Sequence, residues 1–513
     1  MNFLKKYPEY ILLFLFAIVG VFTVNSYGYA WDERDQREIG LTCYNYIFNN
    51  NLQYLSLASR DHGAIFELFL VIIEKLLRLT SDHDIYIMRH LVSHLFFLLS
   101  AFYLYKLIIF IYNNNKLAVL GFLLLVINPT IYGHSFFNSK DVTFLSMLII
   151  CFYQFAISFK YKKYYQFILL ALFSSFLVNI RIMGILFVSF VLFFLLIDFV
   201  AIIKERAAVK KYILLFVLFG LAAIIFTIGT WPLLWEHPLD NFLYAVKNLS
   251  KYPWPGNVLF NGKLTSAHDL TWTYIPTWFI INTPIMYLFL GFSGLILFLL
   301  QLLKVFAKID LKMIDKNNLL YVFSFLVPVF VVIFLNSVLY DSWRHLFYIY
   351  PAFIMLAVYF INYCLNTKFI KVVFIMTALS ITTTSYYIIT YFPFHHVYFN
   401  PIIAFKKNEF IRKNYDMDYW GVGYNKALEY ILEIDKKRKI FVYAPNPPCE
   451  GNTVMLPIQD QKRFAFIHYE NKPDYFITNY RDHPEDYNNE ELEEVKSFTI
   501  LNNKLITIFK FKK

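Results

Sequence analysis

The sequence predicts a polytopic α-helical membrane protein of about eleven transmembrane helices, with a small C-terminal α/β domain outside the cytoplasm. Three observations carry this fold class. Of 513 residues, 58% are hydrophobic and 20% aromatic against 16% charged, too apolar for a water-soluble chain of this length. Long apolar stretches recur through the first 390 positions. The connections between them alternate between Lys-rich and Lys-poor, the pattern that orients a chain across a bilayer.

The N-terminal segment reads Lys5, Lys6, and then 22 uncharged residues from Tyr10 to Trp31. That exceeds the roughly 20 a bilayer requires. A cleavable signal has a shorter apolar core and a small-x-small site, and Ser26-Tyr-Gly-Tyr-Ala30 is a poor one, so the segment reads as a retained first span. Ten further apolar stretches fall near 87 to 108, 117 to 135, 142 to 158, 164 to 178, 182 to 202, 212 to 230, 281 to 303, 319 to 338, 345 to 364 and 369 to 390.

Eleven spans put the two ends of the membrane region on opposite sides. The net charge is +11, but the residues from Tyr391 onward are nearly balanced, with 18 Lys and Arg against 17 Asp and Glu. The excess therefore belongs to the membrane part, where topology explains it and no nucleic-acid partner is implied. Alternate connections carry Lys160, Lys162 and Lys163; Lys204, Arg206, Lys210 and Lys211; Lys304, Lys308, Lys312 and Lys316; and Lys368 and Lys371. These join Lys5 and Lys6 on the cytoplasmic side. Asp141, Arg181, the segment 231 to 280, Asp341 to His345 and everything after Tyr391 face outward. The domains are thus 1 to 390, with outer loops 31 to 85 and 231 to 280, and 391 to 513.

In the first outer loop a helical run from Gly63 to Thr80 places Glu67, Glu74 and Arg78 on one face, suited to lying in the interface plane or against the spans. The second loop is rich in Pro, Gly and Trp. The C-terminal part has an amphipathic helix near Tyr424 to Lys437 and β-like runs at Ile440 to Ala444, Asp474 to Asn479, Ser497 to Leu501 and Lys504 to Phe511, the last two joined as a hairpin.

The chemistry collects on the outer side. Asp32 and Glu33 follow span one directly, and Asp141 directly precedes span four. Carboxylates at that depth are costly to desolvate and have altered pKa values, which suits a general base. Trp31-Asp-Glu-Arg-Asp35 reads equally as an ordinary polar stop with Trp31 as interfacial anchor, and the residues alone leave both readings open. Arg181 lies between spans five and six, and Arg344, followed by His345, lies at the mouth of span ten. An interfacial arginine commonly snorkels to headgroups. Its guanidinium fork is also the group that clamps two oxygens of a lipid-linked phosphate. His134, His268, His395 and His396 are candidates for a divalent metal, although adjacent His395 and His396 suit neither one helix face nor one strand face. The four cysteines, Cys43, Cys151, Cys364 and Cys449, lack metal or disulfide spacing. No Gly-rich phosphate loop or nucleophile elbow occurs.

Together these residues resemble a family. The motifs are the acidic pair after span one, Asn138-Ser-Lys-Asp141 in the next outer loop, and the aromatic outer loop with Tyr252-Pro-Trp-Pro-Gly256 and Trp272-Thr-Tyr-Ile-Pro-Thr-Trp278. With Arg344-His345 near a late span, they are similar to those of the C-type (GT-C) membrane glycosyltransferases, within them bacterial relatives of the protein O-mannosyltransferases and aminoarabinose transferases. Gly133 to Asp141, Arg344 to Pro351 and Asp418-Tyr-Trp-Gly421 also look like a bacterial branch with an outer C-terminal domain. The resemblance covers about residues 1 to 390 and implies a polyprenyl-phosphate sugar donor and inversion at the anomeric carbon. It implies that Asp32 deprotonates the acceptor hydroxyl, with Glu33 as substitute, that Asp141 orients substrate, and that Arg344 or Arg181, beside His345, receives the leaving phosphate. It requires no cofactor and places the protein in the bacterial cytoplasmic membrane. The chain lacks an inserted sugar-binding β-trefoil, so a glycan or lipid acceptor stands beside a protein one. A surface-glycan polymerase or ligase is the rival reading. A transporter or flippase fits less well, because such proteins place ionisable residues mid-span and here only His94 is clearly so placed.

Overall fold

The computed structural model describes residues 8–202, 206–250, 252–307 and 314–512. Lys5, Lys6, Lys204, Lys308 and Lys312 of the cytoplasmic set, and the side chain of Arg206, lie outside the described residues. Each of the eleven apolar stretches folds as helix. Among the described residues nine helices are long and apolar enough to cross a membrane, ten if one bent pair is a single span. The chain is a multi-pass membrane protein.

In chain order the helices that frame the site are α1 (Pro8–Thr23), α2 (Glu33–Asn49), α3 (Ile65–Leu76), α4 (Asp82–Tyr112), α5 (Asn115–Val126), α6 (Pro129–Phe137), α7 (Asp141–Tyr161), α8 (Tyr164–Ile180), α9 (Ile185–Ile202), α10 (Arg206–Thr230), α11 (Pro238–Ser250), α12 (Tyr274–Asn282), α13 (Ile285–Ala307), α14 (Lys316–Phe334), α15 (Tyr350–Cys364) and α16 (Ile370–Thr390). The Asp141–Tyr161 span is the most enclosed, 89% buried, whereas Pro8–Ser26 and Val209–Thr230 are 17% buried and form the edge that lipid covers.

Two stretches depart from straight spans. Residues 117 to 135 form α5 and α6, bent by 65°. Asn128 accepts the Ile131 amide at 3.1 Å and Pro129 takes the first position of α6, so a new helix is capped where one span was expected. The bend delivers the 138 to 141 turn to the site. Helix α8, with 17 residues, is shorter than the nine spanning segments, which run from 19 to 31 residues.

Charge pairs sort the helix ends into two groups. Asp198 is held by Lys162 at 3.3 Å and Lys316 at 2.5 Å, and Lys106 lies 3.7 Å from Glu9, all at one end. Asp32, Asp141, Arg181 and Arg344 gather at the other.

In the first loop, α3 packs against α2. Glu67 and Glu74 are buried, paired with Arg89 and Arg37. Arg78 does not share their helix as expected: α3 ends at Leu76, and Arg78 has a left-handed φ of 54° beyond it. The second loop forms α11, the hairpin β1 (Asn257–Phe260) and β2 (Lys263–Ser266), and α12.

After Tyr391 comes α17 (Tyr424–Ile434), then β3 (Ile440–Tyr443), β4 (Phe464–Phe466), β5 (Tyr475–Thr478), β6 (Leu492–Ile500) and β7 (Asn503–Phe511). The sheet order is β4-β3-β5-β7-β6, with β3 parallel to β4 and β5, and β7 antiparallel to β5 and β6. β6 and β7 form the expected terminal hairpin. Its turn residues Leu501 and Asn502 both have positive φ, 50° and 59°, as a tight two-residue turn requires.

Candidate active site

Asp32 enters the site through its neighbours. The Trp31 amide donates to the Trp420 carbonyl at 3.0 Å, and Glu33 folds back to accept the Ala30 amide at 2.8 Å. Glu33 also meets His90 Nε2 at 2.9 Å and is buried. The acidic pair is therefore split: Glu33 is consumed in holding the turn, while Asp32 keeps 36% of its side chain open.

Asp141 starts α7. Asn138 Oδ1 accepts its amide at 2.8 Å and Asn138 Nδ2 donates to its Oδ2 at 3.0 Å. Its two oxygens hold two arginines, Oδ1 bonding Arg181 and Oδ2 accepting Arg344 Nη1 at 3.3 Å. Arg344 Nη2 donates to Asp341 at 3.0 Å and stands 3.6 Å from Asp32 Oδ2. The rings of Tyr340 and Trp420 cover its guanidinium at 4.8 and 4.6 Å. His345 packs edge-on against Tyr340, ring centroids 4.6 Å apart.

These groups surround one cavity of about 340 Å³, of the size small-ligand sites have. Asp32, Glu33, Arg181, Arg344 and His345 line it, and Asp141 stands behind the arginines. The opposite wall is apolar, built by Ile182, Ile185 and Leu186 at the start of α9 and by Val331, Leu335 and Leu339 around the end of α14. Each arginine also keeps a buried Nε–H with no partner among the described residues, a donor left for an incoming oxyanion.

Asp32 has its carboxyl pushed up to about 6 by its depth in the protein, with Arg344 pulling the other way and Asp341 and Asp141 adding to the rise. Water entering through its open third moderates that shift. Lys140, beside Asp141, is pushed down to about 8 by burial, against the attraction of Glu67.

Sequence reasoning missed several wall residues. Lys140, a member of the Asn138 to Asp141 motif, lines the cavity and donates to the Gly63 carbonyl at 2.8 Å. His62, Tyr252, Tyr340 and Trp420 also line the cavity. Arg481, far along the chain, donates to Asp341 Oδ1 at 2.9 Å and to the Tyr419 carbonyl, and lies over the Trp31 ring at 5.2 Å. Lys140, Tyr252 and Trp420 fall within the motifs named above, whereas no local pattern marks His62, Tyr340 or Arg481.

Of the candidate metal histidines, His134 and His396 lie with ring centroids 6.2 Å apart, but each is taken up by other partners. His134 meets Tyr419 OH at 3.2 Å, His395 meets Tyr27 OH at 3.2 Å, His396 meets Asp418 at 3.3 Å, and His268 contacts the Trp254 carbonyl at 3.0 Å. Among the described residues no group of three or more His, Cys, Asp or Glu is placed to hold a metal ion.

No protein-family model and no curated protein matches the chain. Among solved structures it is similar to the oligosaccharyltransferase of Archaeoglobus fulgidus in its apo form, with a TM-score of 0.51 and 11% identity over 90% of this chain and 65% of that one. This chain thus spans about two thirds of that enzyme's length. It is also similar to ArnT from Cupriavidus metallidurans bound to undecaprenyl phosphate, with a TM-score of 0.47 and 9% identity over 98% of each chain. At 11% identity the likeness is one of fold, which this chain shares with the Archaeoglobus enzyme.

Proposed function

We propose that this protein is an inverting glycosyltransferase that moves a sugar from a polyprenyl-phosphate donor to an acceptor hydroxyl at the outer face of the bacterial cytoplasmic membrane. The observation that carries the reading is the cavity itself, in which an open carboxylate faces a pair of arginines and an apolar wall rises beside them. The fold shared with the Archaeoglobus enzyme supports it.

In this reading the isoprenoid chain lies along the Ile185 and Leu335 wall and its phosphate meets Arg344 and Arg181. The acceptor hydroxyl gives its proton to Asp32. Its oxygen bonds to the anomeric carbon from the face opposite the phosphate, and the sugar–phosphate bond breaks with its electron pair. The released charge stays on the phosphate, where the two guanidinium groups hold it. Asp141 fixes both arginines at once, and the Tyr340 and Trp420 rings keep Arg344 from swinging away. The acceptor is a glycan, lipid or protein hydroxyl, and no cofactor enters the reaction.

The test uses purified protein in proteoliposomes with a panel of polyprenyl-phosphate sugars and the envelope fraction of a deletion strain as acceptor. The expected result is release of polyprenyl phosphate matched by a new glycoside of inverted anomeric configuration. Retained configuration, or no release from any donor, would overturn the reading.

A further inference from the structure

One wall residue is held far more tightly than packing alone demands. His62 sits in the loop between α2 and α3 with 23% of its side chain open, and it lines the cavity. Its Nδ1 meets Asp61 Oδ1 at 3.2 Å. Asp61 is fully buried, and its second oxygen accepts Asn248 Nδ2 from α11 at 2.6 Å. On the other side, the Gly63 carbonyl accepts Lys140 Nζ at 2.8 Å, and Asn179 Oδ1 accepts the amides of Ala64 and Ile65 at 3.1 and 3.3 Å. Gly63 lies so close to the Asn179 backbone that a Cβ there would fall 1.0 Å from its carbonyl oxygen, so only glycine fits. The Tyr252 ring packs edge-on to the imidazole at 5.5 Å.

A buried carboxylate at Nδ1 places the proton there and leaves Nε2 as a lone-pair acceptor. Among the described residues Nε2 has no hydrogen-bond partner and is not among the buried unpartnered atoms, and the His62 side chain, 23% exposed, lines the cavity. The groups facing the ring are Asp61, Lys140, Arg181 and Tyr252. Burial holds its pKa below the ordinary value, with Lys140 and Arg181 adding to the drop and Asp61 opposing it, so the ring is neutral at pH 7. His62, the Tyr252 ring packed against it and Asp32 line the same cavity.

We infer that His62, oriented by Asp61, is an acceptor-binding residue whose Nε2 takes a hydrogen bond from a hydroxyl of the sugar acceptor beside Asp32. The inference rests on the transferase reading above. Asp61 and Asn248 are positioning residues in the same chain of bonds.

The experiment measures acceptor and donor KM separately on membrane-inserted protein, using the polyprenyl-phosphate sugar and acceptor found active with the wild type. His62→Ala is expected to raise acceptor KM about 3- to 10-fold, the loss of one neutral hydrogen bond, and to leave donor KM within 2-fold. Asp61→Asn removes the charge that keeps the proton on Nδ1. It should raise the same KM with His62 still in place. His62→Gln restores an acceptor oxygen and should recover part of the loss, which a purely structural role would not predict. An unchanged acceptor KM in His62→Ala, an equal rise in donor KM, or a Gln variant no better than Ala would overturn the inference and leave the transferase reading standing. A wild type that transfers no sugar would overturn both.

Discussion

Asp32→Asn separates chemistry from folding, because the structure sets the two costs far apart. Asp32 meets Arg344 only at 3.6 Å and keeps 36% of its side chain open, so the lost pairing belongs with exposed ion pairs, at most about 1 kcal/mol. Arg344 keeps its bonds to Asp341 and Asp141, and the fold is retained. The amide preserves volume and hydrogen bonding but cannot accept a proton. A positioned base contributes about 10² to 10⁴ in rate, or roughly 3 to 5.5 kcal/mol of barrier. The assay is single-turnover transfer from a purified polyprenyl-phosphate sugar, normalised to membrane-inserted protein and followed across pH. With its carboxyl near 6, Asp32 is about nine-tenths ionised at pH 7. Wild-type transfer should therefore fall as pH drops through about 6, when protonation removes the base, and the limb assigned to Asp32 should be missing in the Asn variant. Turnover within a few-fold of wild type in Asp32→Asn would refute the base assignment and promote the polymerase or ligase reading.

Glu33→Gln should do the reverse, lowering stability by about 1–3 kcal/mol through its bonds to Ala30 and His90 while turnover per folded molecule stays within a few-fold, read by thermal unfolding beside activity. If instead turnover collapses with stability intact, Glu33 is the base. Arg344→Ala should raise donor KM about 10- to 100-fold by removing charge-assisted bonds, and Arg344→Lys should recover only part because an ammonium has no fork; full activity in the Ala variant would transfer the role to Arg181. A reporter active only outside the cytoplasm should be active when fused after Lys513 and silent near Asp315, and the opposite pattern would overturn the placement of the site.

Much of the architecture is legible in sequence because lipid imposes a simple rule. Every spanning segment must be a long apolar helix, so hydropathy finds the nine spans among the described residues, along with the bent pair and the shorter helix α8. The rule fails where local capping competes: Asn128-Pro129 restarts a helix inside an apolar run, and averaging hides it. β4 escaped because its three residues, Phe464 to Phe466, are too few to alternate. Arg78 was placed on a face by periodicity that continued past the real end of α3. In the site, Asp32, Asp141, Arg181 and Arg344 stand out because they fall directly at the span ends opposite the Lys-rich connections. Their mutual bonds, and the diversion of Glu33 to His90, depend on contacts up to 203 positions apart that no window detects. His62 carries no signal, since one polar residue in a loop is ordinary, and Lys140 is visible only within the Asn138 to Asp141 motif.

The Arg481 contact bears on how the protein is made. Asp32 leaves the first span and Arg344 arrives near the tenth, yet Arg481, which grips Asp341 beside one and covers Trp31 beside the other, is not synthesised until most of the chain is complete. A nascent chain can insert its helices and bury its Phe and Tyr side chains while Asp341 and Trp31 still lack Arg481. Those contacts wait for the turn after β5 to be made and docked. A half-made or misfolded molecule thus lacks the contact that ties Asp341, the partner of Arg344, to the C-terminal domain.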